Sequence, residues 1–556
     1  MVIWLGQPPF ILGKELREGG RPIRREMMIN YWKLRQATTQ FGVATGLARQ
    51  PSISRHSVPA RALLLVACLM LVQATAALAQ TISVYVSSSG GDRLSAKKPL
   101  RFAQAGTGQA ATATFRLDEN EKDQTMIGFG ASFLEAGMLC LNSLPRDKQE
   151  AVLKALFDPK DGAGFSAMKT VIGATDFMSA GGWYTYNDTP GDMEMEHFSI
   201  QRDLGPNGLV TFIKRAQRYG KFVLQAPMDY PPDWMLVELN DRKRQDVNPK
   251  YYDALALYYL RYLQEYEKNG IFVDYLCLFN EPGVYTKIAY PKIRELLKNH
   301  VGPLFVKNNV KTRIQLSENP TRNGARKSYP VVLDDPQARK YVATLPYHGY
   351  DFAFFKRPQQ VPATRENGYD YSEFASIAEL HRVYPDLPLW MTEACLWNRG
   401  TPWAKPMPRY EFENGDFWGR QIIGDMKAGA SGWTYWNMIL DEEGGPELVS
   451  PIHGDNEGNK QHPVVIINRK TGEVTYTGLY YYLAHFSRFV RPGSVRVEAA
   501  GGTEDIEAVA FKRPDGYLVA QVVNSRKLPA SAVIRWGDKS TTVALLPLSI
   551  TTLLWK

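Results

Sequence analysis

The feature that most constrains the fold is an alternation of short apolar runs with longer helical stretches, repeated eight times between Thr125 and Trp436. Strand-length runs followed by helices are typical of βα units on a parallel sheet. Eight units fit a closed (β/α)₈ barrel, and insertions account for the length beyond the ~250 residues usual in that fold. An open, doubly wound sheet is the alternative. The apolar runs are Met126–Phe133, Phe165–Ile172, Phe222–Ala226, Tyr275–Phe279, Arg313–Leu316, Tyr341–Tyr347, Leu389–Thr392 and Gly432–Trp436. The helices predicted between them include Pro145–Phe157, Leu209–Tyr219, Tyr251–Asn269, Pro291–Lys307, Glu373–Tyr384 and Phe417–Ala428.

A second, smaller domain is indicated by the strands at the two ends of the chain. After Asn468 the pattern returns to short strands with turn signals such as Arg513-Pro-Asp-Gly516, which is typical of a β-sandwich. Residues 80–124 also contain short strands and no helix of their own. We therefore expect residues 80–124 and 469–556 to form one sandwich beside a barrel of residues 125–468. The predicted strands are Ile82–Val86, Thr112–Leu117, Gly493–Glu498, Glu507–Phe511, Tyr517–Val523, Ser531–Trp536, Thr541–Leu545 and Ile550–Trp555.

Residues 1–79 are predicted to be a leader that ends in a secretory signal peptide at about residues 58–79. Arg61 precedes the apolar run Ala62–Val72, and Ala77-Leu-Ala79 is the small-x-small pattern that signal peptidase cuts. The run is short for a membrane span, and a membrane anchor is the alternative. The pattern predicts a secreted or periplasmic protein with no stable membrane insertion after cleavage.

The formal net charge of +9 is concentrated in this leader. Residues 1–79 hold ten Lys or Arg and three Asp or Glu, so about +2 remains for the rest of the chain. So small a charge does not form a polyanion-binding surface, and no nucleic-acid partner is expected. The sequence does not indicate an oligomeric state.

No metal site and no cofactor are predicted. Cys140, Cys277 and Cys395 lie outside the leader at wide spacing, which is neither a disulfide framework nor a zinc signature. One bridge could form at most, and buried core positions are favoured. His-x-x-x-His and paired Cys-x-x-Cys motifs are absent from the sequence. Gly128-Phe-Gly130 lacks the third glycine and the acidic partner of a dinucleotide-binding fingerprint.

Two predicted barrel strands end abruptly in a carboxylate. The fourth leads into Asn280-Glu281-Pro282, and the seventh leads into Thr392-Glu393. Catalytic groups of such barrels sit at the C-terminal ends of the strands, so the two carboxylates are expected to face each other across the mouth. That is the arrangement glycoside cleavage requires, with one acid protonating the leaving oxygen and one carboxylate attacking the anomeric carbon. For either residue alone, a salt-bridged strand end is the alternative.

Both motifs resemble those of the retaining barrel glycosidases. More specifically, the chain resembles glycoside hydrolase family 30, which contains glucosylceramidases and several β-1,6-glucanases, galactanases and xylanases. The resemblance extends from about residue 125 to the C-terminus and keeps the order of the family's motifs. The further motifs that carry it are Ile127–Phe133, Ile172–Phe177, Pro231–Met235, Trp433–Asn437, Gly444–Pro446 and His485–Ser494.

The resemblance implies roles for the residues around the two carboxylates. Glu281 would be the acid/base and Glu393 the nucleophile. Asn280 would hydrogen-bond the sugar 2-hydroxyl, a contact that strengthens in the transition state. Tyr350 matches the family tyrosine that touches the nucleophile and would hold its carboxylate unprotonated. His348 is either a ligand contact or a structural histidine.

Further positions match sugar-contacting residues of the family. Trp436 and Asn437 lie on the eighth strand, and Asp176 follows the second. A core role for Trp436 and a turn cap for Asp176 are the alternatives. Trp234, in the Pro231–Met235 motif, is a further predicted substrate contact.

The sequence departs from the family pattern at three places. Lys169, also predicted to line the substrate site, stands where the family usually has arginine, and a lysine offers a point charge instead of a planar fork. The segment Ala226–Tyr230 lacks the tryptophan usual after the third strand, and Gly349 replaces a bulky aromatic residue. The first change is expected to loosen the positioning of the nucleophile, and the other two to reshape the subsite that holds the cleaved sugar.

Together these observations predict a secreted retaining β-glycoside hydrolase without a cofactor. Its predicted substrate is a carbohydrate: a β-linked oligosaccharide or polysaccharide of glucan or galactan type, or a glycoside. No long apolar exposed segment points to a lipid surface, which favours a polysaccharide over a glycolipid. A non-catalytic carbohydrate-binding protein on a degenerate barrel and a transglycosylase are the alternatives.

Overall fold

The computed structural model describes residues 80–105, 110–179, 183–237, 246–284, 286–351, 373–399, 412–446 and 459–556. The predicted leader and signal peptide, residues 1–79, lie outside the described residues. Within those residues, no helix has both the length and the apolar character needed to cross a membrane.

Eight parallel strands close into a barrel in which each strand pairs with its neighbours in chain order, and the eighth pairs with the first. This confirms the predicted barrel and excludes the open sheet. Nearly every strand residue is buried, as expected when helices cover the outside of a parallel barrel. The strands are Gly128–Ser132, Ala167–Lys169, Val223–Pro227, Tyr275–Cys277, Arg313–Gln315, Val342–His348, Leu389–Glu393 and Ala430–Asn437.

The predicted helix Pro291–Lys307 is interrupted. Tyr290–Leu296 and Gly302–Lys307 are α-helical, but Leu297–Val301 between them has π-helical hydrogen bonding. Pro303 explains the break, because it has no amide hydrogen and its ring clashes with the carbonyl four residues earlier. The remaining α-helices are Glu135–Asn142, Arg146–Phe157, Leu209–Ala216, Tyr252–Lys268, Arg322–Ser328, Pro330–Leu333, Pro336–Arg339, Glu373–Val383, Asn414–Lys427 and Gly478–Ser487, with 3₁₀ turns at Asp233–Met235 and Pro249–Tyr251.

The small domain is a ten-stranded sheet that encloses its own apolar core. Thr81–Ser88 pairs antiparallel with Ser549–Trp555, which confirms that the two ends of the chain share this sheet. In order across the sheet, the strands are Ser95–Arg101, Thr81–Ser88, Ser549–Trp555, Leu518–Asn524, Ile506–Lys512, Val495–Gly501, Ala113–Thr125, Ala530–Trp536, Lys539–Leu545 and Ala103–Gln104. Short additional strands are Trp397–Arg399 with Asn459–Gln461, and Ile439–Asp441 with Val465–Ile467 and Val474–Tyr476.

A helix lies between the barrel and the sheet, where the sequence pattern predicts only strands after Asn468. This helix, Gly478–Ser487, packs Phe486 against Phe129 of the first barrel strand, with ring centroids 5.6 Å apart. Its many aromatic residues favour a strand by intrinsic propensity, but burial between two layers decides in favour of the helix. Cys140, Cys277 and Cys395 are free and buried, as the prediction of core positions requires.

Candidate active site

The two predicted catalytic carboxylates lie at the C-terminal mouth of the barrel. Glu393 is the last residue of the seventh strand, and Glu281 follows shortly after the end of the fourth. Both are buried. One carboxylate oxygen of each lies within 4.8 Å of the other. The structure therefore brings the pair together across the mouth.

Lys169, at the end of the second strand, bonds directly to Glu393. Its ammonium lies 2.6 Å from Oε2 of Glu393 and 3.0 Å from Oε2 of Glu318, and it faces the Trp436 ring at 4.8 Å. Burial lowers the pKa of Lys169, but Glu318 and Glu393 raise it by a larger amount, so the net shift is upward. Lys169 is therefore a fixed positive charge beside the Glu393 carboxylate.

Glu318 is a third carboxylate of the cluster, and it is missing from the sequence-based set. It follows the fifth strand, is fully buried and accepts a hydrogen bond of 3.1 Å from Gln225 Nε2. Burial raises its pKa, but Lys169 and His348 outweigh that effect and bring the pKa to about 2. The signal was present in the sequence, because Leu316-Ser-Glu-Asn-Pro320 is another apolar run that ends in a carboxylate.

His348 lies between the carboxylates at the end of the sixth strand. Its Nδ1 is 2.7 Å from Oε1 of Glu281 and 3.7 Å from Oε1 of Glu393. Its Nε2 pairs with Glu318 at 3.4 Å, outside hydrogen-bond geometry. Burial lowers the pKa of His348, but the surrounding carboxylates outweigh it and raise the pKa to about 9. The imidazole is thus cationic at neutral pH and contacts the candidate acid/base directly.

Tyr350 donates a hydrogen bond of 2.8 Å to Oε1 of Glu393, on the carboxylate oxygen that Lys169 leaves open. Its hydroxyl is also 3.3 Å from Sγ of Cys395. Burial raises the pKa of Tyr350 well above its usual value, so the phenol remains protonated and can donate. Each oxygen of Glu393 therefore has its own donor.

Glu281 combines a perturbed pKa with an unusual backbone conformation. Burial raises the pKa of its carboxyl, and the bond from His348 offsets part of that shift. Its φ of 44° lies in the left-handed region, which costs a non-glycine residue roughly 1–2 kcal/mol. A hydrogen bond of 3.0 Å from its amide to the Glu318 carbonyl helps to hold this conformation. Such strain is concentrated at functional sites.

The other predicted site residues divide into two groups. Asn280, Asp176 and Asn437 are buried at strand ends of the barrel mouth; Lys169 Nζ is 3.4 Å from Asn280 Oδ1, and Asn437 Nδ2 donates to Gln461. Trp234 is partly buried and makes contacts of a different kind. Its indole donates to the Asn187 carbonyl at 2.9 Å and packs edge-on against Tyr251.

Three atoms of the cluster also meet the minimum geometry for a metal ion. Glu281, His348 and Glu393 each offer one ligand atom, and the three atoms lie within 4.8 Å of one another. However, Nδ1 of His348 is bonded to Glu281, and the Lys169 ammonium is bonded to Glu393. A divalent cation would have to displace both contacts against two positive charges. The cluster therefore suits acid–base chemistry better than metal binding.

Comparisons with known families agree with the fold. The model of the glycosyl hydrolase family 30 TIM-barrel domain matches residues 126–490, and that of the family 30 beta sandwich domain matches residues 493–553. The chain belongs to glycoside hydrolase family 30. It is therefore a glycosidase, and its substrate is a carbohydrate.

Individual relatives and solved structures cover most of the chain. "Putative glucosylceramidase 2" of Caenorhabditis elegans is 28% identical over 460 residues, covering 79% of this chain and 83% of the relative. An endo-1,6-beta-D-glucanase of Neurospora crassa is 25% identical over 482 residues, covering 82% of this chain and 91% of the relative. The crystal structure of SrfJ from Salmonella typhimurium is 21% identical and superposes with a TM-score of 0.73, covering 86% of this chain and 99% of that one.

Proposed function

We propose that this enzyme is a retaining β-glycoside hydrolase with Glu281 as acid/base and Glu393 as nucleophile. The observation that carries the proposal is the separation of the two carboxylates, whose nearest ligand oxygens lie within 4.8 Å. Retaining enzymes hold the pair about 5–5.5 Å apart, whereas inverting enzymes need roughly 6.5–9.5 Å to admit a water molecule. So close an approach of two carboxylate oxygens supports the retaining arrangement.

The contacts of Glu393 suit a nucleophile. Lys169 bonds one carboxylate oxygen and Tyr350 donates to the other, which favours the ionised form and fixes the plane of the group. In the first step an oxygen of Glu393 attacks the anomeric carbon, and the bond to the leaving oxygen breaks. The negative charge of Glu393 is then lost to the new ester, and Glu318 remains as the partner of Lys169.

The environment of Glu281 suits a group that is first an acid and then a base. Burial and the negative charge of Glu393 both raise the pKa of Glu281, which keeps its proton available for the leaving oxygen. When Glu393 becomes esterified, its charge no longer acts on Glu281, and the pKa of Glu281 falls. The cationic His348 favours the same ionised form. Glu281 is then ready to deprotonate the water that hydrolyses the glycosyl-enzyme.

We infer further that the substrate is a β-linked glucan or galactan-type saccharide outside the cell. The similarity to an endo-1,6-beta-D-glucanase over 91% of that protein supports a polysaccharide. The apolar run Ala62–Val72, followed by Ala77-Leu-Ala79, supports secretion through a signal peptide at about residues 58–79. The domain bounds belong to the same proposal. Residues 125–468 form the catalytic barrel, and residues 80–124 together with 469–556 form the sandwich.

Azide rescue of the two glutamate variants tests the mechanism. The wild type, E281A and E393A are assayed on aryl β-D-gluco-, galacto-, xylo- and fucosides with and without azide. We expect E281A to regain turnover with azide and to form a β-glycosyl azide, because the nucleophile is intact. E393A should give the α-anomer or no product. The best aryl glycoside identifies the sugar of the glycone.

The same panel exposes the other functions. A wild type that binds β-linked polysaccharides but releases nothing from any substrate would be a carbohydrate-binding protein. A wild type that transfers most of the sugar to an added alcohol in preference to water would be a transglycosylase. A β-glycosyl azide from E393A and not from E281A would reverse the assigned roles.

A further inference from the structure

An acidic residue lies in the segment that lacks the family's tryptophan. Asp229 follows the third barrel strand, Val223–Pro227, by two residues. Only 2% of its surface is exposed. Its Oδ1 has no hydrogen-bond partner within the described residues. A carboxyl oxygen in this state loses its hydration without compensation, which is rare in folded proteins.

The main chain around Asp229 is fixed relative to the catalytic pair. The carbonyl of Met228 accepts a hydrogen bond of 2.8 Å from the amide of Asn280, the residue before Glu281. The carbonyl of Asp229 itself accepts one of 3.4 Å from Thr286 Oγ1. These bonds join the third-strand loop to the fourth-strand loop. The main chain at Asp229 is thereby held in a defined place at the barrel mouth.

Strand pairing places Asp229 on the loop next to the strand that ends at Lys169, the residue bonded to the candidate nucleophile. The third strand neighbours the second, which ends at Lys169, and both Lys169 and Glu393 influence Asp229 electrostatically. Burial raises the pKa of this carboxyl well above its usual value, and the nearby carboxylates add to that shift. Lys169 does not satisfy the orphan oxygen, because its hydrogen bonds go to Asn280, Glu318 and Glu393.

We propose that Asp229 is a specificity-determining residue that hydrogen-bonds a ring hydroxyl of the glycone. The proposal rests on the proposed function, since it assumes that a sugar occupies the space beside Glu393. A neutral carboxyl both donates and accepts, as does a sugar hydroxyl, so either direction of the bond satisfies the orphan oxygen.

A polar contact of this kind discriminates more strongly than an apolar one. A site built to hydrogen-bond a hydroxyl rejects an analogue without it, because the buried protein group is then left unpaired. An aromatic wall tolerates the loss of a hydroxyl more easily. Asp229 should therefore narrow the choice of sugar to those with a hydroxyl at one particular ring carbon and configuration.

The test measures kcat/KM of the full-length wild type, D229A and D229N. The substrates are the aryl β-glycoside that the wild type hydrolyses best and its 3-deoxy and 4-deoxy analogues. We expect one analogue to be a poorer wild-type substrate by about 10²-fold or more. D229A should lose a similar factor on the parent sugar but less than about threefold on that one analogue. The exposed neighbour Asp233 provides the control. D233N should reduce kcat/KM by the same small factor on the parent sugar and on every analogue.

Each outcome has a distinct meaning. If D229A and D229N lose the same factor on the parent and on every deoxy analogue, Asp229 acts through charge or packing and the proposal is overturned. D229N keeps the shape of the side chain; if D229A fails to fold, a change of kcat/KM in D229N that differs between the parent sugar and one deoxy analogue supports the proposal, and a uniform change overturns it. A wild type that hydrolyses no glycoside contradicts the proposed function. Normal azide rescue of E281A together with uniform losses in the Asp229 variants contradicts only this inference.

Discussion

At the candidate nucleophile, a buried lysine stands where related chains usually have an arginine. Lys169 bonds Glu393 and Glu318 at 2.6 and 3.0 Å, so its single charge compensates two carboxylates. An arginine could satisfy both with separate nitrogens of its planar fork. The ammonium also faces the Trp436 ring, 4.8 Å from its centroid.

Two replacements of Lys169 distinguish the effect of its charge on turnover from the effect of its shape. K169M should reduce kcat by about 10²–10³-fold, because Glu393 loses a charge-assisted hydrogen bond that keeps it ionised and aimed. K169R should keep kcat within about tenfold of the wild type. The measurement is turnover of an aryl β-glycoside, with K292M at an exposed ion pair as the control. Equal activity of K169M and K292M would show that the lysine does not support the nucleophile.

The cation at His348 should set the upper pH limit of activity. Its bond to Glu281 favours the ionised acid, so H348Q should raise the pKa of Glu281 further. The general acid then keeps its proton to higher pH, and the basic limb of kcat/KM against pH should move upward. H197Q, at an exposed histidine, should leave the limb in place. A basic limb that stays in place or moves downward in H348Q would contradict this coupling.

The sequence supports the prediction of some of these residues and not of others. Glu281 and Glu393 can be predicted because a carboxylate that ends an apolar strand is a local pattern. Glu318 shows the same pattern, but nothing local indicates that it pairs with Lys169 and His348. Those contacts join residues from different strands, and only the closed barrel brings them within bonding distance. The orphan oxygen of Asp229 likewise becomes visible only when every possible partner has been placed.

At the scale of secondary-structure elements, the loops beyond the fifth and sixth strands are joined by a buried ion-pair network. Arg322 pairs with Asp351 at 2.9 Å and with Asp425 at 2.7 Å, and the hydroxyl of Tyr347 donates to Asp425 at 2.9 Å. Tyr347 directly precedes His348. The network thus connects the helix Asn414–Lys427 with the strand that carries the central histidine of the site.

Removing the guanidinium should destabilise the barrel strongly. R322M leaves two buried carboxylates without their cation, and breaking a buried pair in this way costs about 3–5 kcal/mol. The free energy of unfolding is measured by urea denaturation. R326M, on the same helix and partly exposed, should change it by less than about 1 kcal/mol. Equal losses in the two variants would show that the buried network contributes no more than a surface pair.

The elements themselves follow from local patterns to different degrees. The eight barrel strands can be predicted because burial on both faces makes each an apolar run between helices. The break in the helix can also be predicted locally, from Pro303. The π-helical geometry cannot, because it depends on how the backbone before the proline adjusts to the ring. The helix Gly478–Ser487 is not predicted, because its aromatic residues gain their stability from two layers that are distant in sequence.

At the scale of the whole molecule, that helix joins the barrel to the sheet through a buried histidine. His485 lies on the helix, with Nδ1 2.7 Å from Oγ1 of Thr552 and Nε2 3.0 Å from Oγ of Ser87. Thr552 and Ser87 belong to the strands from the two ends of the chain. One imidazole therefore bonds both of the paired strands that come from the two ends of the chain and join the small domain into a single sheet.

The junction should make the stability of the protein depend on pH. Burial, with a smaller contribution from Arg488, lowers the pKa of His485 to about 3. In the unfolded chain this histidine binds a proton below about pH 6.5, whereas in the folded protein it stays neutral until about pH 3. Unfolding therefore takes up a proton between these limits, and this contribution to stability is lost as the pH falls through them.

Relative to H485Q, the wild type should lose up to about 1.4 kcal/mol of its free energy of unfolding per pH unit in that window. Urea unfolding of both proteins at several pH values between 6.5 and 4 measures the difference, with H197Q as the exposed control. Parallel stability curves for the wild type and H485Q would mean that the imidazole is not held neutral at this junction.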